Sequence, residues 1–252
     1  VLVRIMPGNP FPSERMSATQ IANKRAEMGL DDPILLQFVR YMKNVLRGDF
    51  GKGSSLYNGA PIKTVLSSCV SNSFRIGGLA ILIGTVLGLL LGVCAALHRG
   101  KFLDGFCTVF SIVGVCVPSY VFLIFLQYNF SYKVSFFPYF FDSSRFLFSA
   151  ILPALSLSLF TMSTIARFTR NEMVEVIDSD YVRLAESKGM EGGLLIRRHV
   201  LRNALVPIVT VLAPLIVDLL TGALVVEKIF AIPGVGSLLV TAIQSNDYNV
   251  VI

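Results

Sequence analysis

The sequence predicts an all-α polytopic membrane protein, and three observations carry that expectation. Charged residues make up 15% of the 252 positions, against about a quarter in an ordinary soluble domain. The mean hydropathy is +0.68. Apolar runs at 76–97, 106–130, 146–166 and 204–226 each reach the length a helix needs to cross the hydrocarbon of a bilayer.

The chain opens at Val1 without a methionine, and VLVRIM reads as the tail of an apolar segment. Residues 1–71 are expected to hold the end of a first span and an extracytoplasmic loop with short helices. One helix is expected over 17–28, between a Ser17 cap and Gly29. A second starts at Pro33 and presents Leu35, Leu36, Phe38, Val39, Met42 and Leu46 on its apolar positions. The glycine-rich stretch Arg47–Ser55 lacks the G-x-x-x-x-G-K-[ST] spacing and has no strand before it. It reads as a solvated connection, not a phosphate cradle.

The first complete span, 76–97, carries Gly84, Gly88 and Gly92 at four-residue spacing, a stripe for close helix packing. The second, 106–130, contains Pro118, whose freed carbonyl neighbouring helices can satisfy. The aromatic stretch after it, with Phe136, Phe137, Tyr139, Phe140 and Phe141, reads as an interfacial loop. The third span, 146–166, holds Ser156, Ser158, Thr161, Ser163 and Thr164. These hydroxyls either line a wet path, with Ser156 and Thr161 as candidates, or bond back to their own helix. The fourth, 204–226, holds Asp218, read either as a pathway or interhelical group or as a residue near the interface. Residues 227–252 read as polar.

The short loops set orientation. The turn after the first complete span carries Arg99 and Lys101. The segment 167–203 carries Arg167, Arg170, Arg183, Lys188, Arg197, Arg198 and Arg202. Both are expected in the cytoplasm by the positive-inside rule. The same rule accounts for much of the +6 net charge, and no nucleic-acid-binding motif is present. Cys69, Cys94, Cys107 and Cys116 show no metal or redox spacing and read as small packing residues. No set of residues makes a nucleophile and base, or a metal site, at one depth.

The segment Asp180–Pro207, DYVRLAESKGMEGGLLIRRHVLRNALVP, places dense charge between two apolar runs. Ala185 and Gly189 are four apart and would share one helix face, which a partner could approach closely. On composition alone this is a solvated connection. Its letters say more. Tyr181, Val182, Arg183, Ala185, Lys188 and Gly189 fit the Y-V-R-x-A-x-x-K-G form of a cytoplasmic signature. His199, Leu201, Arg202, Asn203, Leu205 and Pro207 fit its second half. The segment resembles the signature of binding-protein-dependent ABC importer permeases, closest to the dipeptide/oligopeptide branch. Against the general EAA-x-x-x-G form, with the glycine on Gly189, only Ala185 matches the three letters. RIMPGNP, GLDDPILLQFVRYMKNVLRGDFGKG and LTGALVVEKIFAIPGVGSLLVTAI resemble further segments of that family in the same order.

The resemblance implies an ABC type I importer transmembrane domain over 72–252, from a six-span family with four complete spans in this chain. It implies an inner-membrane permease moving di- or oligopeptides, with no catalysis of its own. It implies no bound cofactor, ATP being held by a partner ATPase. The segment 167–203 would be the coupling loop, with Tyr181, Arg183, Ala185, Glu186, Lys188 and Gly189 docking on that ATPase. The implied partners are a second permease, two ATPases and an extracytoplasmic peptide-binding protein. A stand-alone channel or ion-coupled carrier using Asp218 is the rival from another class.

Overall fold

A computed structural model describes residues 19, 32–53, 59–221, 223–245 and 247–251. The chain divides into two compact units, 1–72 with 233–252, and 73–232.

In the first unit, α1 is Ile34–Leu46. Its expected apolar positions form a stripe, but Leu35, Leu36, Phe38, Val39, Met42 and Leu46 are all exposed. Arg40 pairs with Asp32 at 3.0 Å. The expected helix over 17–28 lies outside the described residues apart from Thr19. Lys52 bridges Pro61 in antiparallel fashion, and Asn72 Nδ2 donates to the Pro233 carbonyl at 3.0 Å.

The second unit is built on three long helices. Helix α2, Ile62–Leu97, enters it at Ser73. Helix α3, Phe102–Cys116, ends before Pro118, which cannot donate to the preceding turn. Helix α4, Ser119–Leu126, continues as a π-helical stretch over Gln127–Lys133. The expected single run over 106–130 is therefore corrected: it is two helical pieces bent by 103°. After a 3-10 turn at Ser143–Arg145, α5 runs unbroken from Phe146 to Ile177. The turn is capped by the Asp142 carboxylate, which accepts from the Ser144 N–H at 2.9 Å. These bonds, first that from the Ser144 hydroxyl, hold the Asp142 carboxyl below its usual range. Two short helices follow, α6 at Asp180–Ser187 and α7 at Gly192–Leu195, and a π-helical turn, Ile196–Leu201, leads into α8, Arg202–Thr221. Helix α9 is Leu224–Ile229.

Two boundary expectations are corrected. Helix α5 continues eleven residues past 166, so the start of the expected 167–203 loop is helix. Thr169 and Met173 are fully buried on this extension, which keeps it packed while its other face turns polar. The stretch 227–252 is not simply polar. Phe230 and Ile232 are buried in the second unit, and α10, Val235–Gln244, is a short apolar helix of the first unit. It starts with the Gly234 N–H donating to Ser237 Oγ at 3.0 Å and is followed by α11, Tyr248–Val251.

Among the described residues three helical segments are long and apolar enough to cross a membrane, and the bent pair makes up to four. At about 1.5 Å per residue the apolar stretch 76–97 is roughly 33 Å long, close to the hydrocarbon thickness. Helices α2 and α5 run parallel, since Gly84, Gly88 and Gly92 meet Thr161, Ile165 and Thr169 in rising order. The bent pair accounts for that. Asp104 lies beside Arg170, Gly114 beside Ser163, and Leu123 and Leu126 share a buried cluster with Ala150 and Ala154. The chain thus climbs back along α5 to the level where α5 begins. Helix α8 then runs antiparallel to α5, with Ala204 clustered with Met173, and Ile208 and Leu215 with Ile165.

Candidate functional site

Helix α6 starts after Ser179, whose carbonyl accepts from the Val182 and Arg183 N–H groups. Its apolar side faces inward. Val182 and Ala185 are buried in one cluster with Ala96 of α2, Met173 of α5, Leu195 of α7, Val200 of the π-helical turn and Ala204 of α8. One end of each of three long helices therefore converges on this one short helix.

The helix ends in a Schellman arrangement. The Gly189 N–H donates to the Glu186 carbonyl at 2.9 Å, and the Met190 N–H to the Ala185 carbonyl at 3.2 Å. Gly189 adopts φ +83°, a conformation that costs a residue with a Cβ about 1–2 kcal/mol. A Cβ there would meet nothing within 4 Å. The expectation that Ala185 and Gly189 share an outward helix face is corrected. The helix stops at Ser187, Gly189 is its terminating residue, and Ala185 is only 4% exposed. What faces outward is Tyr181, Arg183, Leu184, Glu186 and Lys188. Leu184 is 56% exposed and Tyr181 45%. Among the described residues Arg183, Glu186 and Lys188 form no ion pair. Leu184 was not picked out from the sequence. Its signal was its place on the face opposite Val182 and Ala185.

Above this site the helices pack at close range. A Cβ on Gly84 would lie 3.0 Å from the Thr161 Cβ. On Gly88 it would lie 2.7 Å from the Met162 carbonyl oxygen, and on Gly92 2.5 Å from the Thr169 Cβ and 2.6 Å from the Ala166 carbonyl oxygen. Gly114 of α3 admits the Ser163 side chain in the same way. Ser156 Oγ donates to the Pro153 carbonyl at 2.7 Å, and Ser158 Oγ to that of Leu155 at 2.9 Å. Of the two readings open for the hydroxyls, these two take the local bond. Ser156 and Thr161 are buried between this chain's own helices. Asp218 sits on the exposed side of the last turn of α8.

Two long-range ion pairs among the described residues of the second unit have no signal in the sequence. Asp104 binds Arg170 through Nε at 3.0 Å and Nη2 at 2.9 Å, and accepts the Gly100 N–H at 3.0 Å. Arg99 binds Asp178 at 2.7 Å, two residues before α6. Their partners lie 66 and 79 positions apart, and nothing in the sequence couples them. Among the described residues no group of three or more metal-ligating side chains converges.

The profile of the family described as "Binding-protein-dependent transport system inner membrane component" matches residues 84–252. The dipeptide transport system permease protein DppB of Bacillus subtilis is 38% identical over 252 residues, all of this chain and 81% of its own length. The oligopeptide transport system permease protein OppB of Haemophilus influenzae is 34% identical over all of this chain and 82% of its own length. Among solved structures, the inward-facing MetNI methionine ABC transporter aligns with a TM-score of 0.58, covering 71% of this chain and 80% of that one. An amino acid ABC transporter crystallised with histidines aligns at 0.59, covering 74% and 82%. Both are 16% identical to this chain, so they establish a common fold.

Proposed function

Because the chain belongs to the family of binding-protein-dependent transport system inner membrane components, and within it to the dipeptide and oligopeptide permeases, we propose that it carries di- or oligopeptides inward across the inner membrane as one permease subunit of an ATP-driven importer. On this reading the spans around 76–97, 106–130, 146–166 and 204–226 are four of a six-span arrangement. A second permease completes the path, two ATPases supply the energy, and an extracytoplasmic protein delivers the peptide. ATP is held by the ATPases and this chain binds no cofactor.

The observation that carries the coupling assignment is the two-sidedness of α6. Its inner face is locked to α2, α5 and α8 through one apolar cluster. Its outer face presents Tyr181 and Leu184 among the charges of Arg183, Glu186 and Lys188. An apolar centre ringed by charges is the composition of a protein-binding patch. A movement imposed on α6 from outside is passed to three long helices together. The close glycine contacts make α2 and α5 move as one body, which suits rigid rocking between two arrangements. Gly189 serves this reading by ending the helix at Ser187, which leaves the outer face short.

The proposal is tested in proteoliposomes holding the complete transporter and a labelled dipeptide or oligopeptide. Uptake is expected only with ATP and the binding protein. Uptake by this chain without an ATPase, abolished by Asp218→Asn, would instead establish an ion-coupled carrier.

A further inference from the structure

A cavity of about 390 Å³ opens between α2, α3 and α5, lined by Ala95, Thr108, Ser111, Ile112, Arg167 and Asn171, with Arg170 beside them. Its two cations are in different states. Arg170 is neutralised by Asp104 through two hydrogen bonds. Arg167 is exposed and forms no ion pair among the described residues. The cavity therefore carries a net positive charge with no countercharge among the described residues.

Its depth is fixed by the helices that form it. Ala95 lies two residues before the end of α2, and Arg167 is the first charge after the apolar stretch 146–166. The cavity thus sits where hydrocarbon gives way to headgroups, on the face that the basic loops mark as cytoplasmic. Beside it, Val109, Ile112 and Val113 of α3 are all more than half exposed. A free guanidinium with a side-chain amide and a hydroxyl nearby, flanked by an apolar strip at headgroup depth, matches one ligand chemistry: a phosphodiester carried on acyl chains.

We propose that this cavity binds the headgroup of an anionic phospholipid. Arg167 takes the phosphate, Asn171 and Thr108 donate to its oxygens, and the acyl chains lie along Val109, Ile112 and Val113. A lipid is favoured over an acidic side chain of a neighbouring subunit because the cation and the apolar strip adjoin at the same depth. The proposal rests on the chain being a multi-pass membrane protein, not on its cargo.

The test uses the full-length transporter reconstituted in equimolar phosphatidylglycerol and phosphatidylcholine, re-extracted in mild detergent and examined by native mass spectrometry. Retained phosphatidylglycerol is expected in excess. Arg167→Gln should lower that excess about fivefold, the scale of one arginine at an anionic surface, while Arg167→Lys keeps most of it. Arg145→Gln, outside the cavity, should leave it unchanged. Equal retention of the two lipids by the wild-type protein overturns the proposal without any variant. So does an excess that Arg167→Gln leaves intact at an unchanged melting temperature, or a cross-link from position 167 to an acidic residue of another subunit in place of lipid.

Discussion

Asp104 and Arg170 face each other in a two-point ion pair, with Nε–Oδ1 at 3.0 Å and Nη2–Oδ2 at 2.9 Å, joining the start of α3 to the C-terminal part of α5. The Gly100 N–H completes the carboxylate's partners and ties the α2–α3 turn to the same point. Asp104 is nearly enclosed, whereas the Arg170 side chain keeps 30% of its exposure.

Breaking this pair from one side leaves a partly buried charge alone. Asp104→Ala is expected to cost about 2–4 kcal/mol, somewhat below a fully buried pair because Arg170 is still wetted. Thermal unfolding of the purified chain reads this as a lower midpoint. Adding Arg170→Met to Asp104→Ala should restore part of the loss, since the stranded charge is then gone.

The stripe on α2 makes a position-dependent prediction. Gly92→Leu must displace Thr169 or the Ala166 backbone and should cost about 1–3 kcal/mol. Gly78→Leu, on the same helix, meets nothing within 4 Å at its Cβ and should leave the unfolding midpoint nearly unchanged. Equal effects at the two positions would mean that α2 and α5 are not in this register.

At Gly189 the constraint is backbone conformation, because φ is +83° and the surrounding space is open. Activity should therefore follow tolerance of that conformation rather than size. In peptide-stimulated ATP hydrolysis by the complete transporter, Gly189→Asn should be mildest, Gly189→Ala intermediate and Gly189→Val most harmful. A ranking by volume alone would show that close approach governs.

Much of the fold was legible because its main signal is one-dimensional. Apolar runs near 76–97 and 146–166 mark hydrocarbon depth, and that signal is local. It does not mark where a helix ends. Helix α5 keeps going past its first charge, Arg167, since Thr169 and Met173 still have helices to pack on. Pro118 announced a break but not its angle, because 103° is set by the level on α5 to which the chain returns. The four-residue spacing of Gly84, Gly88 and Gly92 announced a packed face, while their partners on α5 came only with the register. In α6 the letters located the segment, and the spacing of Ala185 and Gly189 misled. Four-residue spacing implies a common face only while the helix lasts, and this one ends first. The pairs Asp104–Arg170 and Arg99–Asp178 were silent, since long-range charge pairing leaves no periodic trace.

The central claim is that the outer face of α6 receives the push of an ATPase. Leu184→Asp tests it most directly, because that side chain is 56% exposed and has no part in the inner cluster. In the complete reconstituted transporter the substitution should abolish ATP-dependent peptide uptake and weaken retention of the ATPase. The unfolding midpoint of this chain should stay where it was. Normal uptake with the ATPase still bound would contradict the account.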